Sequence, residues 1–105
     1  MKFTEFGLDP QLIEGIAAIG FKEATPVQDQ TIPLILEGKD VIASAQTGTG
    51  KTAAFLLPIL HKIINEPEHE SIKALIIVPT RELASQIDQQ LEGLSYYTSV
   101  SSLAV

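Results

Sequence analysis

Ala45-Gln46-Thr47-Gly48-Thr49-Gly50-Lys51-Thr52 lies between two apolar runs, Val41-Ile42-Ala43 and Ala53-Ala54-Phe55-Leu56-Leu57. The order reads as strand, glycine-rich turn and helix, and it constrains the fold more than any other stretch of the chain. Glycines let the backbone take positive φ and turn successive N–H groups inward around an anion. The helix that follows adds unsatisfied donors and the positive end of its dipole. Lys51 supplies a point charge for β- and γ-phosphates, and the Thr52 hydroxyl suits a Mg²⁺ ligand. A nucleoside triphosphate is the expected ligand. The general pattern G-x-x-x-x-G-K-[ST] has Gly where this chain has Ala45, and an additional glycine, Gly48, lies inside the loop. The competing reading is a plain turn between strand and helix.

At 105 residues the chain suffices for one small domain with a modest core. It contains no cysteine, which excludes disulfides and thiolate metal sites and fits a reducing compartment. Met1-Lys2-Phe3-Thr4-Glu5 opens no long apolar region, so no signal peptide is expected. No apolar run approaches the roughly 20 residues of a membrane span. A cytoplasmic location is the expectation. The net charge of −6 argues against a generic basic nucleic-acid binder but leaves room for a local phosphate site. Asn65-Glu66-Pro67-Glu68-His69-Glu70 reads as a solvated loop. His61 and His69 have no partner at metal-ligand spacing and read as surface residues.

Helix signals recur along the chain. Asp9-Pro10 is an N-cap followed by proline at the first helical position, with Leu12, Ile13, Ile16, Ala17 and Ile19 on one face and Gly20 as the stop. Thr25-Pro26 repeats the device, with Gly38 as the stop and a kink or break expected at Pro33. The helix after the loop is expected from about Gly50 to Ile64, bent at Pro58. Glu82 to about Leu94 forms another. Val41–Ala45, Ala74–Val78 and Ser99–Val105 read as strands, the second buried on both faces. Strands alternating with helices imply an α/β fold with parallel pairing.

Two further segments carry chemistry. In Gly20-Phe21-Lys22-Glu23-Ala24-Thr25-Pro26-Val27-Gln28, the Gln28 amide donates and accepts at once, which suits the N6 and N7 edge of adenine. Phe3, seventeen residues before Gly20, suits stacking on the purine. Thr25-x-x-Gln28 is equally a capping box, and both roles are compatible. Phe3 and Phe21 also suit a core, Phe21 more so. Pro79-Thr80-Arg81-Glu82-Leu83-Ala84 follows the second strand at its C-terminal end, where α/β sheets build sites. Thr80, Arg81 and the helix N-terminus suit a phosphate. The bland alternative has Thr80 capping the helix and Arg81 on the surface.

Taken in this order, the three motifs resemble those of the DEAD-box ATP-dependent RNA helicases. The resemblance implies a P-loop NTPase of RecA-like fold, a parallel sheet flanked by helices, here truncated after about three strands. It makes residues 1–105 the N-terminal portion of the first RecA-like domain, with the Q motif at 3–28, the phosphate loop at 45–52 and motif Ia at 79–84. The rest of that domain and the second domain are then absent, as are the Asp-Glu-Ala-Asp sequence and the arginine fingers. In such a sheet the strand bearing that acidic sequence lies between the first two strands here, so a gap is expected between them. ATP and Mg²⁺ are the implied cofactors. Phe3, Thr25, Gln28, Ala45, Gln46, Thr47, Gly48, Thr49, Gly50, Lys51 and Thr52 would bind nucleotide, with Lys51 and Thr52 in the catalytic set and Thr52 on Mg²⁺. Pro79, Thr80 and Arg81 would hold the RNA sugar-phosphate backbone without reading sequence. The full-length protein would locally unwind or remodel RNA duplexes, while this chain alone would be inactive and prone to self-association through unpaired strand edges. Two other readings stay open: another superfamily 2 nucleic-acid-dependent ATPase, and a non-catalytic nucleotide- or RNA-binding module.

Overall fold

Asp9 starts the first long helix as the sequence indicates, its carboxylate accepting a hydrogen bond from the Gln11 N–H at 2.9 Å. The computed structural model describes residues 2–44, 50–65, 73–98 and 100–104. A 3-10 helix, Phe3–Glu5, precedes four α-helices: α1 (Pro10–Ala18), α2 (Pro26–Leu36), α3 (Lys51–Ile64) and α4 (Arg81–Leu94). Each α-helix begins beside a residue with a reason to stop the preceding chain: Asp9, Thr25, Gly50 and Thr80. Proline occupies the first position of α1 and α2, where its missing N–H costs nothing.

The break expected at Pro33 does not occur. Helix α2 continues to Leu36, and the Pro33 carbonyl accepts from the Glu37 N–H at 3.1 Å. A proline removes one ladder donor, and tertiary packing outweighs the loss. Helix α3 likewise runs unbroken through Pro58, which is almost fully buried.

Helix α3 is the centre of the core. Leu56, Leu57 and Leu60 are at most 1% exposed, and α2 packs along the helix. Burying each such leucine stabilises the fold by roughly 1.5–3 kcal/mol. Helix α1 contributes Leu12 and Ile16 and crosses α4, whose Ile87 and Leu94 complete this side. The α1–α4 crossing is close at Gly15: a Cβ there would stand 2.5 Å from the Leu94 carbonyl oxygen. Only a residue without a side chain permits that approach.

The parallel sheet is the main departure from expectation. Among the described residues, 41–44, 73–78 and 100–104 form no ladder, and the one β-bridge is the isolated antiparallel pair Lys2–Glu23. Residues 74–78 are not buried on both faces as expected: Ile76 and Val78 pack on the core, while Leu75 and Ile77 alternate with them and stand exposed, since no described segment covers their face. A ladder needs a neighbour about 4.8 Å away. Here an open cavity of about 940 Å³ is lined by Val41 and Ala43 from one segment and Ile76, Ile77 and Val78 from the other. The terminal residues Ala45, Ser99 and Val105 of the expected strands lie outside the described residues.

Candidate nucleotide site

Gly50 joins the phosphate-loop segment to α3 in the left-handed conformation, φ +85°. A Cβ on it would run into the Gln28 Nε2 atom and stand 3.2 Å from the Thr25 Oγ1. Glycine is therefore required here by both backbone and space. Gln28 Nε2 donates to the Gly50 carbonyl at 3.0 Å. Gln28 Oε1 accepts from the Thr25 N–H at 2.8 Å. One side chain thus ties the start of α2 to the start of α3. The capping-box arrangement read from Thr25 and Gln28 is present, and its well-formed arm is the glutamine's. The Thr25 hydroxyl oxygen is buried without a hydrogen bond of ordinary geometry.

Lys51 and Thr52 follow as the first residues of α3. Lys51 is exposed and makes no ion pair with a described residue, while Thr52 is half-buried. Both line the 940 Å³ cavity together with Gly50, Thr25 and Gln28. A cation, a hydroxyl and a helix N-terminus next to a side-chain-free position suit a phosphate and its Mg²⁺. Ala45, Gln46, Thr47, Gly48 and Thr49 lie outside the described residues.

The aromatic wall is closed on itself. Phe3 is 3% exposed, and its ring stacks on Phe21 at 6.1 Å between centroids with 22° between planes. Phe6 meets it at the same distance, tilted by 60°. The Lys2–Glu23 bridge clamps the two segments that carry Phe3 and Phe21. Phe3 and Phe21 also line the cavity.

The Pro79-Thr80-Arg81 segment borders the same cavity through Pro79, and Leu83 of α4 lines it as well. Thr80 caps α4, its Oγ1 accepting from the Leu83 N–H at 3.1 Å. That bond uses an oxygen lone pair and leaves the hydroxyl proton for another acceptor. Arg81 is exposed. Sequence reasoning passed over Gln86 and Gln90, which also line the cavity from α4. Their spacing of four from each other is the signal that places them on one helical face.

His61 departs from the surface reading. It is half-buried in the last turn of α3, and its Nδ1 accepts from the Asp9 N–H at 3.0 Å. A histidine in a helix cannot show from sequence alone that a backbone donor fifty-two residues away will meet it. His69 lies outside the described residues. Among those residues no cluster of three or more His, Cys, Asp or Glu could hold a metal, and no helix is long and apolar enough to cross a membrane.

The chain belongs to the DEAD/DEAH box helicase family, whose model matches residues 25–105. It is 57% identical over 104 residues to the ATP-dependent RNA helicase CshA of Listeria monocytogenes, covering 99% of this chain and 20% of that protein. It is 59% identical over 91 residues to the DEAD-box ATP-dependent RNA helicase CshA of Streptococcus pneumoniae, covering 87% of this chain and 17% of that protein. Among solved structures it resembles the RNA helicase Prp28 of Chaetomium thermophilum bound to ADP, with a TM-score of 0.87 and 38% identity over 97% of this chain and 26% of that one. Dbp5 of S. cerevisiae bound to RNA and ADP BeF3 gives the same TM-score and identity over 94% of this chain and 25% of that one. The chain therefore spans about a fifth of the length of the curated relatives it matches.

Proposed function

We propose that residues 1–105 are the ATP-binding first portion of an ATP-dependent RNA helicase that locally remodels RNA duplexes. The observation that carries this reading is the bond from Gln28 to Gly50. It joins the residue suited to adenine directly to the turn suited to phosphate. Lys51 would pair with the β- and γ-phosphates and the Thr52 hydroxyl would hold Mg²⁺, which would supply charge neutralisation at those phosphates. Gln28 keeps one amide proton and one carbonyl lone pair beyond those engaged with Gly50 and Thr25, the pair that adenine N7 and N6–H require. Gln28 is only 2% exposed and lines the same cavity as Phe3 and Phe21, so the base must shift neighbouring side chains to reach it. Phe3 then trades part of its ring contact for stacking on the purine. Thr80 and Arg81 meet RNA phosphates without reading bases.

The sequence contains no Asp-Glu-Ala-Asp, the acidic element expected to hold metal and water, so the chain alone binds nucleotide but does not turn it over. It also self-associates through the segments without ladder partners. Calorimetric titration with ATP, ADP and GTP in Mg²⁺ tests the nucleotide reading. Adenine-selective binding that Gln28→Ala and Lys51→Ala both abolish is the expected result. Equal affinity for GTP, or binding indifferent to Lys51→Ala, would overturn it.

A further inference from the structure

Among the described residues that line the cavity, Glu23 is the one acid and Lys51 the one base. Neither makes an ion pair with a described residue. Glu23 reaches the cavity because of how its segment runs. Residues 21–25 are non-helical, and Glu23 is held against Lys2 by the antiparallel bridge. Side chains two apart on an extended chain share a face. Phe21, Glu23 and Thr25 accordingly line the cavity, while Lys22 and Ala24 do not. Thr25, whose N–H donates to Gln28 Oε1, lies two residues beyond Glu23. Their α-carbons are therefore within about 7 Å of each other, which keeps Glu23 near the amide suited to adenine.

The cavity is thus polarised. A triphosphate is attracted by Lys51 and repelled by Glu23, so a nucleotide lies with its phosphates at Lys51 and its base toward Glu23. The N6 amino group of adenine carries two protons, and Gln28 keeps one carbonyl lone pair for them. The other proton needs a second acceptor, because a donor left unpaired against a largely apolar wall is costly. Guanine presents the acceptor O6 at the same place. An amide holds both a donor and an acceptor, whereas a carboxylate offers O6 no proton.

We infer that Glu23 is a second base-reading residue, its carboxylate accepting the N6 proton that Gln28 leaves and repelling the O6 of guanine. This rests on the nucleotide reading proposed above and adds to it the group that rejects GTP.

Calorimetric titration of the unmodified chain, Glu23→Ala and Glu23→Gln in Mg²⁺ tests this, with ATP, GTP and the triphosphate of purine riboside, which lacks the N6 group. Glu23→Ala is expected to weaken ATP about tenfold, the worth of one hydrogen bond to a charged group, and to change purine riboside triphosphate by less than about twofold. Glu23 is exposed, so far-ultraviolet circular dichroism of both variants stays that of the parent. Glu23→Gln keeps an acceptor for N6 and gains a donor for O6, so it holds ATP while GTP binds about tenfold tighter. Unchanged ATP affinity in Glu23→Ala, or equal losses for ATP and purine riboside triphosphate, overturns the role of Glu23. The nucleotide reading then stands if Lys51→Ala still abolishes ATP binding. GTP weakened by Glu23→Gln means that the carboxylate takes the guanine N1–H and N2–H instead, and it overturns the assignment too. A chain that binds no ATP, or binds it regardless of Lys51→Ala, overturns both.

Discussion

Replacing Gln28 separates its structural tie from the base recognition proposed for it. Gln28→Ala deletes the bond from Nε2 to the Gly50 carbonyl and the bond from the Thr25 N–H to Oε1. Each is worth roughly 0.5–1.5 kcal/mol net, and stranding either buried backbone partner adds to that. A loss of about 1–3 kcal/mol without nucleotide follows, which lowers the melting midpoint by roughly 4–8 °C per kcal/mol in a domain of this size. Gln28→Glu sharpens the test. The introduced carboxyl still accepts from the Thr25 N–H, but its second oxygen faces the Gly50 carbonyl oxygen in a site that is 2% exposed. Ionised, it is repelled and poorly solvated; protonated, it donates to that carbonyl and restores the bond. Its pKa in the folded state is therefore raised above the unfolded value of about 4.3. The folded state then binds more protons than the unfolded one, so stability relative to the parent chain falls as pH rises from about 4.3 through the raised value. Urea denaturation followed by circular dichroism, across that pH range for all three proteins, provides the readout. A Gln28→Glu protein as stable as the parent at pH 7, with the same pH profile, would refute the reasoning.

Two other substitutions probe the scaffold. Gly15→Ala gains roughly 0.5–1 kcal/mol of helix propensity but drives a methyl against the Leu94 carbonyl, where overpacking costs about 1–3 kcal/mol. Net destabilisation of about 1–2 kcal/mol in urea is expected, and a stabilised variant would contradict the close crossing. Thr80→Ala removes the acceptor for the Leu83 N–H and is expected to cost about 1 kcal/mol, measured by the same titration.

The helix starts were legible because their causes are local. Asp9, Thr25 and Thr80 sit a few residues from the donors they were expected to satisfy, and each stands at an N-cap. The positive φ at Gly50 was legible for the same reason, since a tight turn before Lys51 called for glycine. Contacts between distant segments were not. That Gln28 would bond the Gly50 carbonyl, twenty-two residues on, depends on how α2 lies along α3. The burial of Phe3 against Phe21 depends on the Lys2–Glu23 bridge, which no pattern in either segment announces. The apolar runs at 41–45 and 74–78 were read as strands from their own composition, yet a ladder is a property of two segments. The helices carried Pro33 and Pro58 for the converse reason: propensity is a local cost, and burial of α3 along its length outweighs it.

The crossing of α1 on α4 also sets an order of events during synthesis. Leu12 and Ile16 leave the ribosome early, but the helix they pack against ends about eighty residues further along the chain. At roughly 5–20 residues per second, they wait about 4–16 s for it. During that interval only the Phe3–Glu5 turn and α3 are available to cover the first helix's apolar stripe, and the face that α4 takes is open to a nascent-chain chaperone.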